Sequence, residues 1–378
     1  MRSSISSFRR PIYAILAACG LVFLSARIAE VQMGYSPEGE KTERWLSDVG
    51  RFRTGLFEAT PIDKAKPTVW VVAGSNALFG TDSELIEKTL GVNARNYSLQ
   101  GSVHPNIMFS QIIDQVRPGD VVWAPLEFGV YDRRLGSVFD YSNYFRNMRS
   151  WINHLRASDL YSLYTAVPLK RWVDGLAAYI YAPAAPEEIL DIQSMKKLWD
   201  KKTKYGSYYS FLSLTDRGDF LIDADISPGT WESDVKLEVN NEIGPVGIAT
   251  LRDWQKKFEA RGAKFVLTLP ILLEDKYGTV TSPDFWESIE SQRKQLAEID
   301  VPIHCPADIS VLGRVYRLDS IYHVNSRGAR LRTANILPCL ADALAGRPSL
   351  MTKIDPQSAA LTARRLFQQQ DGALISSQ

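Results

Sequence analysis

The chain predicts an α/β fold: three layers, α/β/α, around a five-stranded parallel sheet. Three observations carry this expectation. Apolar runs of strand length alternate with segments of helical spacing, as in strand–helix–strand units. The strands are almost continuously apolar, the pattern of strands buried on both faces: "TVWVVA" at 68–73, "DVVWAPL" at 120–126 and "KFVLTL" at 264–269. Turn and capping residues fall between the two kinds of segment.

The elements follow in order. Residues 1–30 read as a membrane anchor or signal segment and 31–66 as a stalk and cap, with an amphipathic helix around Thr42–Phe57. The main domain is predicted over 67–132 and 245–350. It opens with strand Thr68–Ala73. A helix over Asp82–Leu90 follows, apolar at Leu85, Ile86 and Leu90 and stopped by Gly91. Ala94–Leu99 is a strand, Ile107–Val116 a helix ended by Pro118-Gly119, and Asp120–Leu126 a strand. After the interruption come helix Gly247–Glu259, strand Lys264–Leu269, helix Pro283–Glu298, short strand Val301–Cys305 and helix Asn325–Leu344. Residues 133–244 break the alternation and are rich in Tyr, Trp and Phe ("YSNYFRNMRSWINHL"). They read as a helical insert with its own aromatic core, and as a lid or partner surface over the sheet's carboxyl edge, where open α/β sheets bind ligands. Residues 351–378 form a polar tail with no clear apolar period, expected to be loosely ordered.

At the N-terminus Arg2, Arg9 and Arg10 precede an apolar run from Ile12 to Ala26, and Arg27 follows it. The basic flank predicts a single-pass helix in a bacterial inner membrane, with the main domain in the periplasm. Leu16-Ala17-Ala18-Cys19 also fits a lipoprotein processing site, but the run continues through Leu24, which suits an uncut anchor better. Cys305 and Cys339 would then face an oxidising compartment, as a disulfide or as two separately buried thiols.

With 44 Lys and Arg against 43 Asp and Glu, the net charge of +1 gives no electrostatic reason to expect nucleic acid. The glycines form no phosphate loop or dinucleotide fingerprint, and no two histidines have metal-ligand spacing. No cofactor and no metal are expected.

The chemistry rests on a hydroxyl and an imidazole. Ser75 stands just past the first strand, at the sheet's carboxyl edge. A serine hydroxyl needs an adjacent base, and the base needs an orienting partner. Of the 4 histidines, His323 lies in "RLDSIYHVNSRGARLRT", four residues after Asp319, so both side chains can face one way. Asp319 would accept the His323 Nδ1–H and leave Nε2 to take the Ser75 proton. His104 beside Pro105 is a loop residue near enough to Gly101 to line the pocket. His154 and His304 read as structural.

A serine turn after strand one, Gly101 in "NYSLQGSVHP" after strand two, a polar residue after strand three and a C-terminal Asp…His together resemble SGNH (GDSL-type) hydrolases. The single anchor and interrupted sheet are similar to the exported, membrane-tethered SGNH-like acyltransferases, among them the D-alanyl-transfer protein of teichoic-acid modification and the alginate acetylation proteins. The resemblance covers roughly Thr68–Glu127 and Lys264–Leu344. It implies a flavodoxin-like strand order, with Ser75 as nucleophile, His323 as base and Asp319 as its orienter. It also implies an oxyanion hole from the Ser75 and Gly101 amides; such donors contribute about 3–4 kcal/mol each. The implied function is transfer or removal of an acyl group, acetyl above all, on a surface or secreted polysaccharide, beside a membrane-bound acyltransferase or synthase partner. The alternative is a degenerate scaffold subunit of such a complex.

The chain departs from the family pattern at several points. Ala73 and Gly74 stand where Gly and Asp are usual, and Asp319 and His323 are separated by three residues rather than two. Glu127 stands where an oxyanion-hole Asn is usual. An ionised Glu127 would repel an oxyanion, so it is protonated, turned to a cation or used for substrate hydroxyls. The missing amide would come from Asn76 or Asn106.

Overall fold

The computed structural model describes residues 11–18, 20–21, 41–137, 140, 154–181, 191–201, 209–223 and 236–375. Among them the fold is α/β. Its centre is a parallel sheet of β1 (Thr68–Val71), β2 (Asn93–Asn96), β3 (Val121–Ala124) and β4 (Lys264–Leu267), in the order β2-β1-β3-β4. Val69 lies opposite Ala94 on one side and Val121 on the other, and Val121 opposite Lys264. The chain runs from β1 outward to β2 and then crosses to β3 on the other flank. The order reverses between β1 and β3, so the crevice of this sheet opens at their carboxyl ends. Gly74-Ser75 and Glu127 sit at those two ends.

Every residue of β1, β2 and β3 is buried. For β1 and β3 the apolar sequence explains it. The polar β2 is paired instead: Asn93 donates to the Asp63 carbonyl, Arg95 meets Glu87, and Asn96 donates to the Ala77 carbonyl. Trp70, Trp123, Trp254 and Trp286 are fully buried, and each indole N–H has a partner: Asp120, Thr268, Asn106 and the Val280 carbonyl.

The helices of the main domain are α2 (Ser75–Phe79), α3 (Ser83–Leu90), α4 (Pro105–Ser110), α5 (Phe128–Tyr131), α9 (Pro245–Ala260), α10 (Pro283–Glu298) and α11 (Ser326–Leu344). The capping residues act as the sequence implied. Asp82 accepts from Leu85 N, Gly91 adopts φ 68°, and Asn325 accepts from Gly328 N. Ahead of the sheet, α1 (Lys41–Ala59) buries Leu46, Val49, Phe52 and Leu56. Its buried Arg53 donates to the carbonyls of Asn96 and Ser98. The described part of the insert contains α6 (Ala157–Ala166), α7 (Leu169–Tyr181), α8 (Ile192–Asp200) and the loop 209–223.

Three expectations are corrected or left open. The predicted strand Val301–Cys305 is reduced to two isolated bridges, Ile303 with Leu267 in parallel and His304 with Leu350 antiparallel. Pro302 has no N–H for the ladder, and Cys305 turns the chain away at φ 68°. A small separate sheet, β5 (Leu272–Leu273) with β6 (Val311–Leu312), lies beyond it. The tail expected to be loose is α12 (Pro356–Ile375), packed on α10 with Ala360, Ala363 and Phe367 buried. Its apolar stripe is made largely of alanine, which a hydropathy pattern barely registers. Residues 11–18 and 20–21 are helical, but no helix among the described residues is long and apolar enough to cross a membrane. Most of the predicted anchor, Cys19 included, lies outside the described residues.

Candidate functional site

The site grows from the end of β1. Ala73 is buried and its N–H is held by the Ser98 hydroxyl. Gly74 follows at φ −81°, and α2 begins at once with Ser75. Gly74 and residues 76–80 are buried, whereas Ser75 is half-buried, so the serine is the one point where this turn meets solvent. The backbone amides of Ser75 and Gly101 hydrogen-bond to no described residue. They are neighbours, because a Cβ at position 74 would overlap the Gly101 amide nitrogen. Two adjacent N–H groups with no partner among the described residues, beside a hydroxyl, are an arrangement that can accept an oxyanion.

Glu127 explains two departures from the family pattern together. Its carboxylate accepts from the amides of Gly74 and Asn76, both at 3.0 Å. A Cβ at Gly74 would overlap both Glu127 oxygens. A side chain is thus absent at 74 because a carboxylate arriving from β3 fills its place. Each oxygen of this carboxyl group therefore serves as the acceptor for one backbone amide. Arg332 of α11 adds a positive charge near Glu127 from inside the protein. Burial lowers the Arg332 guanidinium to about 9. It donates to the carbonyls of Asn76 and Gly80 and to the Asn76 side-chain oxygen, and lies over the Trp123 ring. Glu127 and Arg332 therefore clamp the two ends of α2. Of the three roles open to Glu127, the structure has it turned inward to amides, with a cation behind them.

Asp319 and His323 lie on a tight loop closed by a bridge between Arg317 and Val324. The His323 carbonyl accepts from Leu318 N at 2.9 Å. His323 Nδ1 is 2.7 Å from Asp319 Oδ1, the pairing expected from the four-residue spacing. With a carboxylate accepting, Nδ1 carries the proton and Nε2 is the acceptor. The imidazole stacks on Phe79, with centroids 4.2 Å apart and planes 19° apart. Phe79 is one turn along α2 from Ser75, so both project from the same side of that helix. Ser75 and His323 are thereby brought to one face of α2. Neither Ser75 Oγ nor His323 Nε2 hydrogen-bonds to any described residue, so the two are not directly bonded to each other.

Three predicted site residues are placed elsewhere. The Asn76 side chain, expected to supply an oxyanion donor, is fully buried and donates to the Pro125 carbonyl. Asn106, the other source of that amide, donates to Asp159 and accepts from the Trp254 indole, packing α4 against α6 and α9. His104, expected to line the pocket, is the N-cap of α4: its Nδ1 accepts from Asn106 N at 3.0 Å. Burial holds it neutral, its imidazole pushed down to about 4.

One residue that the sequence did not point to belongs to the site. Tyr209, in the insert, donates to Asp319 Oδ2 at 2.5 Å and lies 3.1 Å from His323 Nδ1. The only sequence signal was the aromatic richness around it. Its loop is seated by Phe220 N donating to the Leu78 carbonyl and by Asp219, which accepts from the Ser83 amide and hydroxyl and from Asn96. Cys305 forms a disulfide with Cys339 of α11, their Cα atoms 5.8 Å apart.

No family model and no curated protein matches this chain.

Proposed function

We propose that the chain is an exported SGNH-like serine acyltransferase or esterase, acting on acyl groups, acetyl above all, of a surface or secreted polysaccharide. One observation carries this reading. A carboxylate-bound imidazole stacks on the helix face that carries a solvent-reaching serine, while the Ser75 amide and the neighbouring Gly101 amide hydrogen-bond to no described residue.

In the proposed reaction His323 Nε2 removes the Ser75 Oγ proton as Oγ attacks the acyl carbonyl carbon. The carbonyl π pair moves to oxygen, and the oxyanion accepts hydrogen bonds from the Ser75 and Gly101 amides. The intermediate collapses, the donor's leaving group departs with the proton from His323, and Ser75 is acylated. A sugar hydroxyl, or water, then attacks in the same way, with His323 again carrying the proton. Asp319 keeps Nδ1 protonated throughout. A movement of Ser75 or His323 has to bring Oγ and Nε2 within hydrogen-bonding reach, as catalytic hydrogen bonds tighten on substrate binding. The insert loop packed on the site favours transfer over hydrolysis, because it limits the access of water to an acyl-enzyme. The Cys305–Cys339 disulfide fits an oxidising compartment outside the cytoplasm. A membrane-bound acyltransferase or synthase is the partner this reading implies, and the N-terminal apolar run its route to the inner membrane.

A fluorophosphonate probe tests the reading. Labelling of the wild type at Ser75, abolished in Ser75→Ala and strongly slowed in His323→Gln, is expected. An unlabelled wild type, or equal labelling of Ser75→Ala, removes the enzyme reading. The second reading is a non-enzymatic scaffold for a polysaccharide-modifying complex. It is favoured by the lack of a hydrogen bond between Ser75 and His323 among the described residues and by the Glu127 carboxyl group beneath the turn. A scaffold would keep polysaccharide acylation intact in cells carrying Ser75→Ala.

A further inference from the structure

The proton assignment around Asp319 makes Tyr209 more than a packing residue. Asp319 receives two groups: His323 Nδ1 on Oδ1 at 2.7 Å and the Tyr209 hydroxyl on Oδ2 at 2.5 Å. The same hydroxyl oxygen is 3.1 Å from Nδ1. A tyrosine has one hydroxyl proton. Once it is given to Asp319, only lone pairs of that oxygen face the imidazole. Nδ1 is then surrounded by acceptors, a carboxylate oxygen and a phenol oxygen. With Asp319 as a carboxylate, the arrangement that satisfies all three groups puts the ring proton on Nδ1 and leaves Nε2 bare. Without the hydroxyl, the carboxylate loses this bond on Oδ2, and the ring loses one of the two acceptors beside Nδ1 that select its tautomer.

The geometry points to Tyr209 as a positioning residue, supplied by the insert, that locks the carboxylate of Asp319 and fixes His323 in the tautomer whose Nε2 can take a proton. The tyrosine ring is itself held from two sides, by Trp45 of α1 at 5.3 Å and edge-on by Phe79 of α2 at 5.6 Å. Aromatic contacts of this kind define a ring's place without constraining its hydroxyl proton. Seating of loop 209–223 and preparation of the base are therefore one event. The insert completes the site rather than merely covering it. The catalytic meaning of this assignment rests on the function proposed above, but its test does not.

The test is histidine side-chain ¹⁵N–¹H NMR on the full-length chain, with His323 assigned by its loss in His323→Gln. The wild type is expected to show neutral His323 as a single Nδ1–H tautomer. Tyr209→Phe is expected to show the two tautomers averaged, with that proton exchanging with solvent roughly tenfold faster, the effect of one lost hydrogen bond to a charged group. Trp45→Phe, which loosens the packing of Tyr209 and keeps its hydroxyl, is expected to behave as the wild type. The same tautomer and exchange rate in Tyr209→Phe as in the wild type overturns the assignment. An equal disturbance by Trp45→Phe also overturns it, because packing would then be the cause. Probe labelling of Ser75 separates this inference from the function: a wild type that is unlabelled but has a fixed tautomer refutes the acyl-enzyme and leaves the role of Tyr209 standing. If the wild type is labelled, Tyr209→Phe is expected to react roughly ten- to hundredfold more slowly.

Discussion

Replacing Glu127 by Gln probes the clamp beneath the serine turn. The side chain is buried at 5% exposure, and each carboxylate oxygen takes one amide, from Gly74 and from Asn76, at 3.0 Å. Hydrogen bonds to a charged acceptor contribute about 1.5–3 kcal/mol each. Glutamine keeps the shape and one acceptor, but its NH₂ must face the second amide, donor against donor. One charge-assisted bond is lost, a buried N–H is left unsatisfied, and Arg332 loses the nearby negative charge. The expected cost is about 2–4 kcal/mol, a large share of the 5–15 kcal/mol that usually separates folded from unfolded protein. Glu127→Ala removes both bonds and should cost about 3–6 kcal/mol on the same scale. Urea denaturation measures it: the midpoint should fall at unchanged slope. If Glu127→Gln unfolds within about 0.5 kcal/mol of the wild type, the side chain is not the double acceptor described above, and the account of both Glu127 and Gly74 fails.

Other perturbations have equally definite outcomes. Gly74→Ala pushes a methyl into the Glu127 oxygens and the Gly101 amide, so it should destabilise by about 1–3 kcal/mol and abolish probe labelling; full labelling would disprove the close approach. The Cys305–Cys339 bond spans a separation of 34 residues, and opening it should cost about 3–4 kcal/mol by the chain-entropy relation. A melting temperature indifferent to reductant, with both thiols alkylated in the native protein, would show that the bond is not formed. Two buried groups should give opposite pH slopes. Burial lowers the His104 imidazole from 6.5 to about 4, so the fold loses stability as pH falls through that window. Burial raises the Asp219 carboxyl from 3.8 to about 7, so the fold loses stability as pH rises through that one. His104→Asn keeps a capping acceptor and should leave stability falling from pH 4 to 7, whereas Asp219→Asn should leave it rising, by on the order of 2 kcal/mol each way. Urea midpoints at pH 4.5 and 7 that keep the wild-type dependence in either variant would refute the corresponding assignment.

Features governed by near neighbours in the chain could be read from the residues alone. The buried strands β1, β3 and β4, the caps at Asp82 and Asn325, the left-handed Gly91 and the Asp319–His323 pair each depend on side chains within four residues of one another, or on the apolarity of a short run. Even there the period was misleading where alanine carries the packing, as in α12, and where Pro302 interrupts a ladder that an apolar run suggested.

Folding alone settled what depends on groups far apart in the chain. Whether Glu127 repels an oxyanion or anchors a helix turns on which amides lie opposite it, 51 and 53 residues away. Whether Asn76 reaches a substrate turns on Arg332, 256 residues on. Tyr209 meets Asp319 across 110 residues, with nothing in its own neighbourhood to mark it among many aromatics. A hydrogen bond has the same chemistry at any separation in sequence, but local preference can announce only the short ones. The long ones exist because burial of the sheet and its helices brings their donors and acceptors together, where water no longer competes for them.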